Sequence, residues 1–204
     1  MANLAMADIF AMLLTVRLYI EVKMSNFKFI ETFIKDVYII ETKTYVDNRG
    51  YFLETYKKED FEEAGLKYDF IQENQSMSRK GVLRGLHYQK KFPQTKLVRV
   101  VTGEVFDVAV DLRKDSSTYG KWFGVVLSEQ NKLQLLIPKG FAHGFLVLSE
   151  QAVFAYKCDE LYHPEDEKGL RFDDPRLSID WPFNDALRIS DKDLLLPFFD
   201  ELNH

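Results

Sequence analysis

The chain repeatedly builds a short run of β-branched and aromatic residues and then breaks it with Gly, Pro, Asn or Asp. Such runs span Phe29–Thr42 (one or two strands), Tyr51–Tyr56, Phe70–Ser76, Gly81–Gln89, Lys96–Thr102, Val105–Leu112, Trp122–Leu127, Gln134–Ile137, Gly144–Leu148 and Val153–Cys158. Many short strands with turn signals about every 8–12 residues are the signature of a β-sandwich or barrel. Two short helices interrupt them: Glu59–Ala64, closed by Gly65 at the position that favours left-handed backbone, and Asp191–Leu196, stopped by Pro197. The expected architecture is mainly β, a double-sheet jelly roll with short peripheral helices. Its clearest hairpin is LVRVV-TGE-VFDVAVDL, turning at Thr102-Gly103-Glu104. There Phe106, Val108, Val110 and Leu112 share one face, while Asp107, Ala109 and Asp111 share the other, which borders solvent or a polar cavity.

Length and composition fit one such domain. With 204 residues and 46% hydrophobic side chains the chain can bury a core without staples. Its one cysteine, Cys158, cannot form an internal disulfide or a multi-cysteine zinc site, and the usage fits a reducing cytoplasm. A net charge of −5 argues against nucleic acid and anionic membranes as partners. That average conceals an asymmetry: residues 79–99 carry seven Lys/Arg and no acid, whereas residues 159–204 carry thirteen Asp/Glu against five Lys/Arg. The basic stretch interleaves Leu83, Leu86, Tyr88, Leu97 and Val98, so it reads as packed, and it is where an anionic ligand is expected.

The N-terminus stands apart. Ile9 to Ile20 is apolar except for Thr15 and Arg17, shorter than the roughly 20 residues of a membrane span. It also lacks the positive charge that precedes a secretory signal's apolar core. Met24 opens a fresh polar start, so residues 1–23 are expected to be an extension outside the fold and 24–204 a single domain.

Four histidines are present. His204 is terminal and His163 precedes Pro164 in a loop, both expected in solvent. His87 (GVLRGLHYQ) and His143 (PKGFAHGF) sit in strands beside glycines. Cupin-type jelly rolls often hold a metal through His-x-His on one strand face. Here position 85 is Gly and position 89 is Gln, and Val147 stands where a later Asn is usual, so no metal is expected. Arg84 and His87, three apart, would point to opposite faces of a regular strand. Gly85 between them marks a candidate bulge that could turn both into one cavity.

Several stretches, in order, carry a family resemblance: DNRGYFLETY (47–56), IQENQSMSRKGVLRGLHYQ (71–89), QTKLVRVVTGEVFDVAVDLR (94–113), PKGFAHGFLVL (138–148), FAYKCDELYHPEDEKG (154–169) and ISDKD (189–193). Together they resemble the dTDP-4-dehydrorhamnose 3,5-epimerases over about residues 27–199. The resemblance implies a cofactor-independent, cupin-fold homodimer acting on a dTDP-4-keto-6-deoxy sugar. Carbons 3 and 5 flank the ketone, so either proton can leave to give an enolate and return on the other face. That needs a base, an opposed acid and a cation or donor at the enolate oxygen. By similarity His87 is the base, oriented by Asp193, Tyr156 the acid, and Lys96 the enolate stabiliser. Arg49 and Arg84 match the diphosphate-side arginines, and Phe52 and Tyr162 would flank the thymine. Glu54, Gln72, Asn74 and Glu167 match positions around the cavity. His143 matches a second cavity histidine, with Asp107 a plausible partner.

Plainer roles compete. Ser190-x-x-Asp193 also reads as a capping box serving the helix's own amides. Tyr156 could be core, and Lys96 an edge-strand guard. Three other functions stay open: epimerisation at one centre only or of another 4-keto sugar, non-catalytic sugar-nucleotide binding, and metal-dependent cupin chemistry, which Gly85 and Gln89 disfavour.

Overall fold

The computed structural model describes residues 25–183 and 185–202. The expected extension 1–23 and His204 lie outside the described residues. Two sheets face each other. One holds six strands in the order β1 (Phe27–Glu31), β2 (Tyr38–Thr42), β10 (Gln134–Ile137), β7 (Lys96–Thr102), β12 (Gln151–Cys158) and β5 (Gln72–Arg79). The other holds five, β13 (Glu167–Gly169), β6 (Leu83–Gln89), β11 (Phe141–Val147), β8 (Glu104–Asp111) and β9 (Trp122–Ser128). A separate hairpin pairs β3 (Thr44–Asp47) with β4 (Gly50–Leu53). This is the double-sheet architecture that the strand cadence implied. Helices are α1 (Lys58–Glu63) and α2 (Asp191–Leu194), with one-turn 3₁₀ pieces at Pro164–Asp166 and Phe199–Glu201. Among the described residues no helix is long and apolar enough to cross a membrane.

The expected hairpin at Gly103 is not a hairpin. β7 pairs with β10 and β12, whereas β8 pairs with β11 and β9, so the Thr102–Glu104 turn carries the chain from one sheet to the other. Gly103 has φ +81°, and a Cβ there would meet Gln151 O at 2.1 Å. A tight glycine turn looks the same locally whether it joins paired strands or rounds a corner. Long-range partners decided between them.

Three apolar clusters explain the layers. Val98, Val100, Val105, Ala109, Phe145 and Phe154 fill the space between the sheets. Outside the five-stranded sheet, Leu83, Leu86, Val108, Val110 and Leu146 are covered by the C-terminal chain through Leu177, Trp181 and Phe199. Outside the other, Ile40, Leu97 and Leu136 are covered by Phe61 of α1 and Leu66. Phe106, Val108 and Val110 therefore face the C-terminal cover, and the Asp107 face looks inward. Asp111, also fully buried, takes bonds from Arg113, Ser116 and Thr118. Burial alone would raise its pKa, but those bonds outweigh it and hold the carboxyl below its usual range.

Candidate active site

Between the sheets opens a cavity of about 560 Å³. The six-stranded wall contributes alternate residues, as a strand must: Gln72, Asn74 and Ser76 from β5, Lys96 from β7, Phe154 and Tyr156 from β12. Asn74 is the register partner of Tyr156, and Lys96 lies with its Nζ 5.8 Å from the Tyr156 ring centre. The other wall contributes Arg84, His87 and His143.

The bulge forms at Gly85. His87 pairs with His143 and Arg84 with Phe145, so three steps on β6 oppose two on β11. The extra residue resets the alternation: Leu83 and Leu86 both reach the outer cluster, and Arg84 and His87 both line the cavity. Gly85 has φ +116°, and a Cβ on it would lie 2.6 Å from Gly144 Cα and 2.7 Å from His143 O. Only glycines let the two backbones approach so closely.

Asp193 binds this bulge to the chemistry. Its Oδ1 lies 2.7 Å from His87 Nε2, and its Oδ2 accepts the Gly85 N–H at 3.3 Å. Ser190 does cap α2, its Oγ accepting the Asp193 N–H at 3.1 Å, but the Asp193 carboxylate is turned to His87 and Gly85. Burial pushes the Asp193 pKa up, yet the His87 contact, the Gly85 N–H and Ser190 prevail and hold it below the ordinary aspartate value. Where Asp193 accepts from Nε2–H, Nδ1 is the ring nitrogen left to take a proton.

A second pair lies beside the first. His143 Nε2 is 2.9 Å from Asp107 Oδ2, with the histidine 8% and the aspartate 0% exposed. Across the cavity, burial first, then the nearby Cys158 and Glu167, raise the Tyr156 pKa against the pull of Arg84, so the phenol is protonated at neutral pH. Burial lowers the Lys96 pKa, opposed by Cys158, Glu167 and Asp107. Cys158 is pushed up to about 11, chiefly by burial, and is a closed thiol rather than a nucleophile.

Glu167 joins the rim together. It accepts from Tyr162 Oη at 3.1 Å, is bonded to Lys192 Nζ, and has Oε1 4.0 Å from His87 Nδ1. Burial works to raise its pKa, but Lys192, His87 and Tyr162 outweigh it and hold it low. Gln89, where a metal-binding cupin could carry a ligand, ties two loops instead: its amide donates to Phe92 O and Leu161 O and accepts from His163 N. His163 is not loose in solvent as expected; it stacks on Phe92 at 4.1 Å and pairs with Glu165.

Three anticipated residues are elsewhere. Arg49, Phe52 and Glu54 do not line the cavity: Arg49 and Phe52 belong to the β3–β4 hairpin, and Glu54 follows it. Arg49 is held by Asp47, Phe52 is 66% exposed, and Glu54 accepts from Asn26. Conversely, Arg188 and Lys192 line the cavity and were not anticipated, because both sit in the acidic C-terminal segment. Of the seven cations in 79–99, two, Arg84 and Lys96, line the cavity.

The sequence model of the family described as dTDP-4-dehydrorhamnose 3,5-epimerase matches residues 31–201. The chain belongs to this epimerase family. A dTDP-4-dehydrorhamnose 3,5-epimerase of Methanothermobacter thermautotrophicus is 56% identical over 172 residues, 83% of this chain and 93% of that one. A solved dTDP-6-deoxy-D-glucose-3,5-epimerase of Legionella pneumophila, in complex with dTDP-4-keto-L-rhamnose, is 50% identical with a TM-score of 0.85, over 87% of this chain and 95% of that one. The family also has single-centre relatives: a 3'-monoepimerase from Streptomyces bikiniensis, crystallised as a double mutant with dTDP, is 30% identical with a TM-score of 0.78, over 82% and 85%. The epimerase fold here presents His87, His143 and Asp107 on one sheet, with Asp193 reaching His87 from α2, and Tyr156 and Lys96 on the other sheet.

Proposed function

We propose that this chain inverts C3 and C5 of dTDP-4-dehydro-6-deoxy-D-glucose through enolates, giving dTDP-4-dehydro-L-rhamnose for dTDP-L-rhamnose biosynthesis in the cytoplasm. One observation carries the reading: an Asp193-oriented His87 and a protonated Tyr156 stand on opposite walls of one cavity. A base and an acid on opposite sides of a flat enolate are what inversion requires. His87 removes the proton α to the ketone, Lys96 stabilises the charge on the enolate oxygen, and Tyr156 returns a proton to the other face. His143, held by Asp107, lines the same wall as His87. Tyr162 flanks the base, Arg84 faces the diphosphate, and Gln72, Asn74 and Glu167 line the sugar's surroundings. None of these steps calls for a cofactor or a metal.

The test is incubation with dTDP-4-keto-6-deoxy-D-glucose in D₂O, following deuterium at C3 and C5 by NMR. Incorporation at both centres is expected. Deuterium at C3 alone would select the monoepimerase reading, and none at either would reject catalysis. Tyr156→Phe separates acid from base: inverted product is expected to fall about 10²-fold or more, while exchange through His87 persists. Equal loss of both would remove Tyr156 from the acid role.

We further propose a homodimer in which Arg49 and Phe52 of one protomer enter the cavity of the other, where they would meet diphosphate and thymine. The hairpin exposes Val46 at 77% and Phe52 at 66%, beside Tyr51 and Arg49, an apolar patch of the sort that marks an interaction surface. Mixing two impaired variants, His87→Ala and Arg49→Ala, is expected to restore activity, because each mixed dimer keeps one cavity with an intact base and an intact hairpin. No recovery after subunit exchange would count against hairpin exchange.

A further inference from the structure

Arg188 is not used by the chemistry above. The segment carrying it lies beside the start of β6: Arg188 N donates to Gly81 O at 2.8 Å, and Leu83 N donates to Arg188 O at 3.1 Å. These bonds make a parallel bridge in which Arg188 is the register partner of Val82. Register partners in a sheet point to the same side, and so do residues two apart on one strand. Val82 lines the cavity, and Arg84 follows it two residues on, before the bulge at Gly85 resets the alternation. Arg188, Val82 and Arg84 therefore form a row along one wall. Gly81 permits the approach, with φ +78° and room for no Cβ, which would sit 2.7 Å from Ala186 O.

The charges along this row favour an anion. Lys192 is committed to Glu167, and the Asp193 carboxylate to His87. Among the described residues no carboxylate lies within 4.0 Å of either Arg84 or Arg188 in the ion pairs formed. Ser78 Oγ accepts from Arg84 Nε at 3.0 Å and fixes the direction of its fork. Two guanidiniums along one wall repel each other unless a multiply charged oxyanion lies between them, and planar forks match phosphate oxygens.

We infer that Arg188 is a further guanidinium at the diphosphate, gripping the nucleotide sugar with Arg84 from the same wall. The assignment rests on the nucleoside-diphosphate reading above. Arg188 would thus set affinity for the diphosphate and leave the proton transfers alone.

The experiment is calorimetric titration of wild type, Arg188→Gln and Arg188→Lys with dTDP and with thymidine, alongside steady-state kinetics and thermal unfolding. Arg188→Gln is expected to weaken dTDP binding and raise KM about tenfold, a charge-assisted hydrogen bond's worth at an open site, with kcat and thymidine affinity unchanged. Arg188→Lys should recover part of the loss, since it keeps the charge without the fork. Binding by wild type should also fall more steeply with salt than binding by Arg188→Gln. The assignment is overturned if Arg188→Gln binds dTDP as wild type does, or if thymidine binding drops equally. Failure of wild type to bind dTDP would instead remove the underlying substrate reading.

Discussion

Replacing His87 with alanine is expected to lower deuterium exchange at C3 and C5 by about 10²–10⁴-fold, the usual contribution of a positioned base. Affinity for dTDP should be unchanged, because the proposed nucleotide contacts are made by Arg84 and Tyr162 rather than by the imidazole. The physical reason is that His87 faces the cavity from the wall opposite Tyr156, with Asp193 at its Nε2. His143, on the neighbouring strand with its Nε2 on the fully buried Asp107, is the neighbour of like chemistry, and its ring is 8% exposed. Glu167 is held ionised by Lys192 and Tyr162 at the rim. The control is Asp193→Asn, which keeps the shape and bonds His87 through a neutral amide. It should lose exchange less severely than His87→Ala, since the base survives without its anchor. NMR exchange rates at matched dTDP saturation make the comparison, and His87→Ala exchanging within about tenfold of wild type would transfer the base role to another residue.

The second large effect belongs to a residue that touches no substrate. Gly85→Ala places a Cβ 2.6 Å from Gly144 Cα and 2.7 Å from His143 O, both backbone atoms, on a residue with φ +116°. The expected loss of stability is about 2–5 kcal/mol, a strained backbone angle plus overpacking, read by urea unfolding. Exchange should fall further than stability accounts for. If β6 relaxes towards a regular strand, Arg84 and His87 return to opposite faces, and the Gly85 N–H that Asp193 accepts moves with them. Gly65→Ala is the fitting control: its φ is +82°, but a Cβ there meets nothing within 4 Å. It should cost about 1–2 kcal/mol, the left-handed penalty alone, with exchange intact. Equal behaviour of the two variants would show that the close approach at Gly85 is unimportant.

Much of the site could be read from the residues. The Gly85 bulge followed from an arginine and a histidine three apart with a glycine between. Asp107 as the partner of His143 followed from the polar face of its strand. What local reading could not reach was whatever depended on distant chain. β7 and β8 look like a hairpin because the turn is tight, yet they belong to different sheets. The Asp193 carboxylate looks like a helix cap until β6 brings His87 to it across 106 residues. Arg188 and Lys192 are cations of an acidic tail, and the bridge of Arg188 to Val82 and the ion pair of Lys192 with Glu167 make them part of the cavity.

The sequence by itself determined the class of fold, through its strand lengths and turns, and its resemblance to a known family pointed to the chemistry. Strand lengths and turns are local properties, set by alternation and by turn-forming residues. Tertiary structure alone decided which groups meet: that base and acid stand on opposite sheets, that one aspartate holds both the base and the bulge, and that cations from an acidic segment enter the cavity. Pairing between strands far apart in the chain depends on which faces must be buried together, and no local window of residues contains that information.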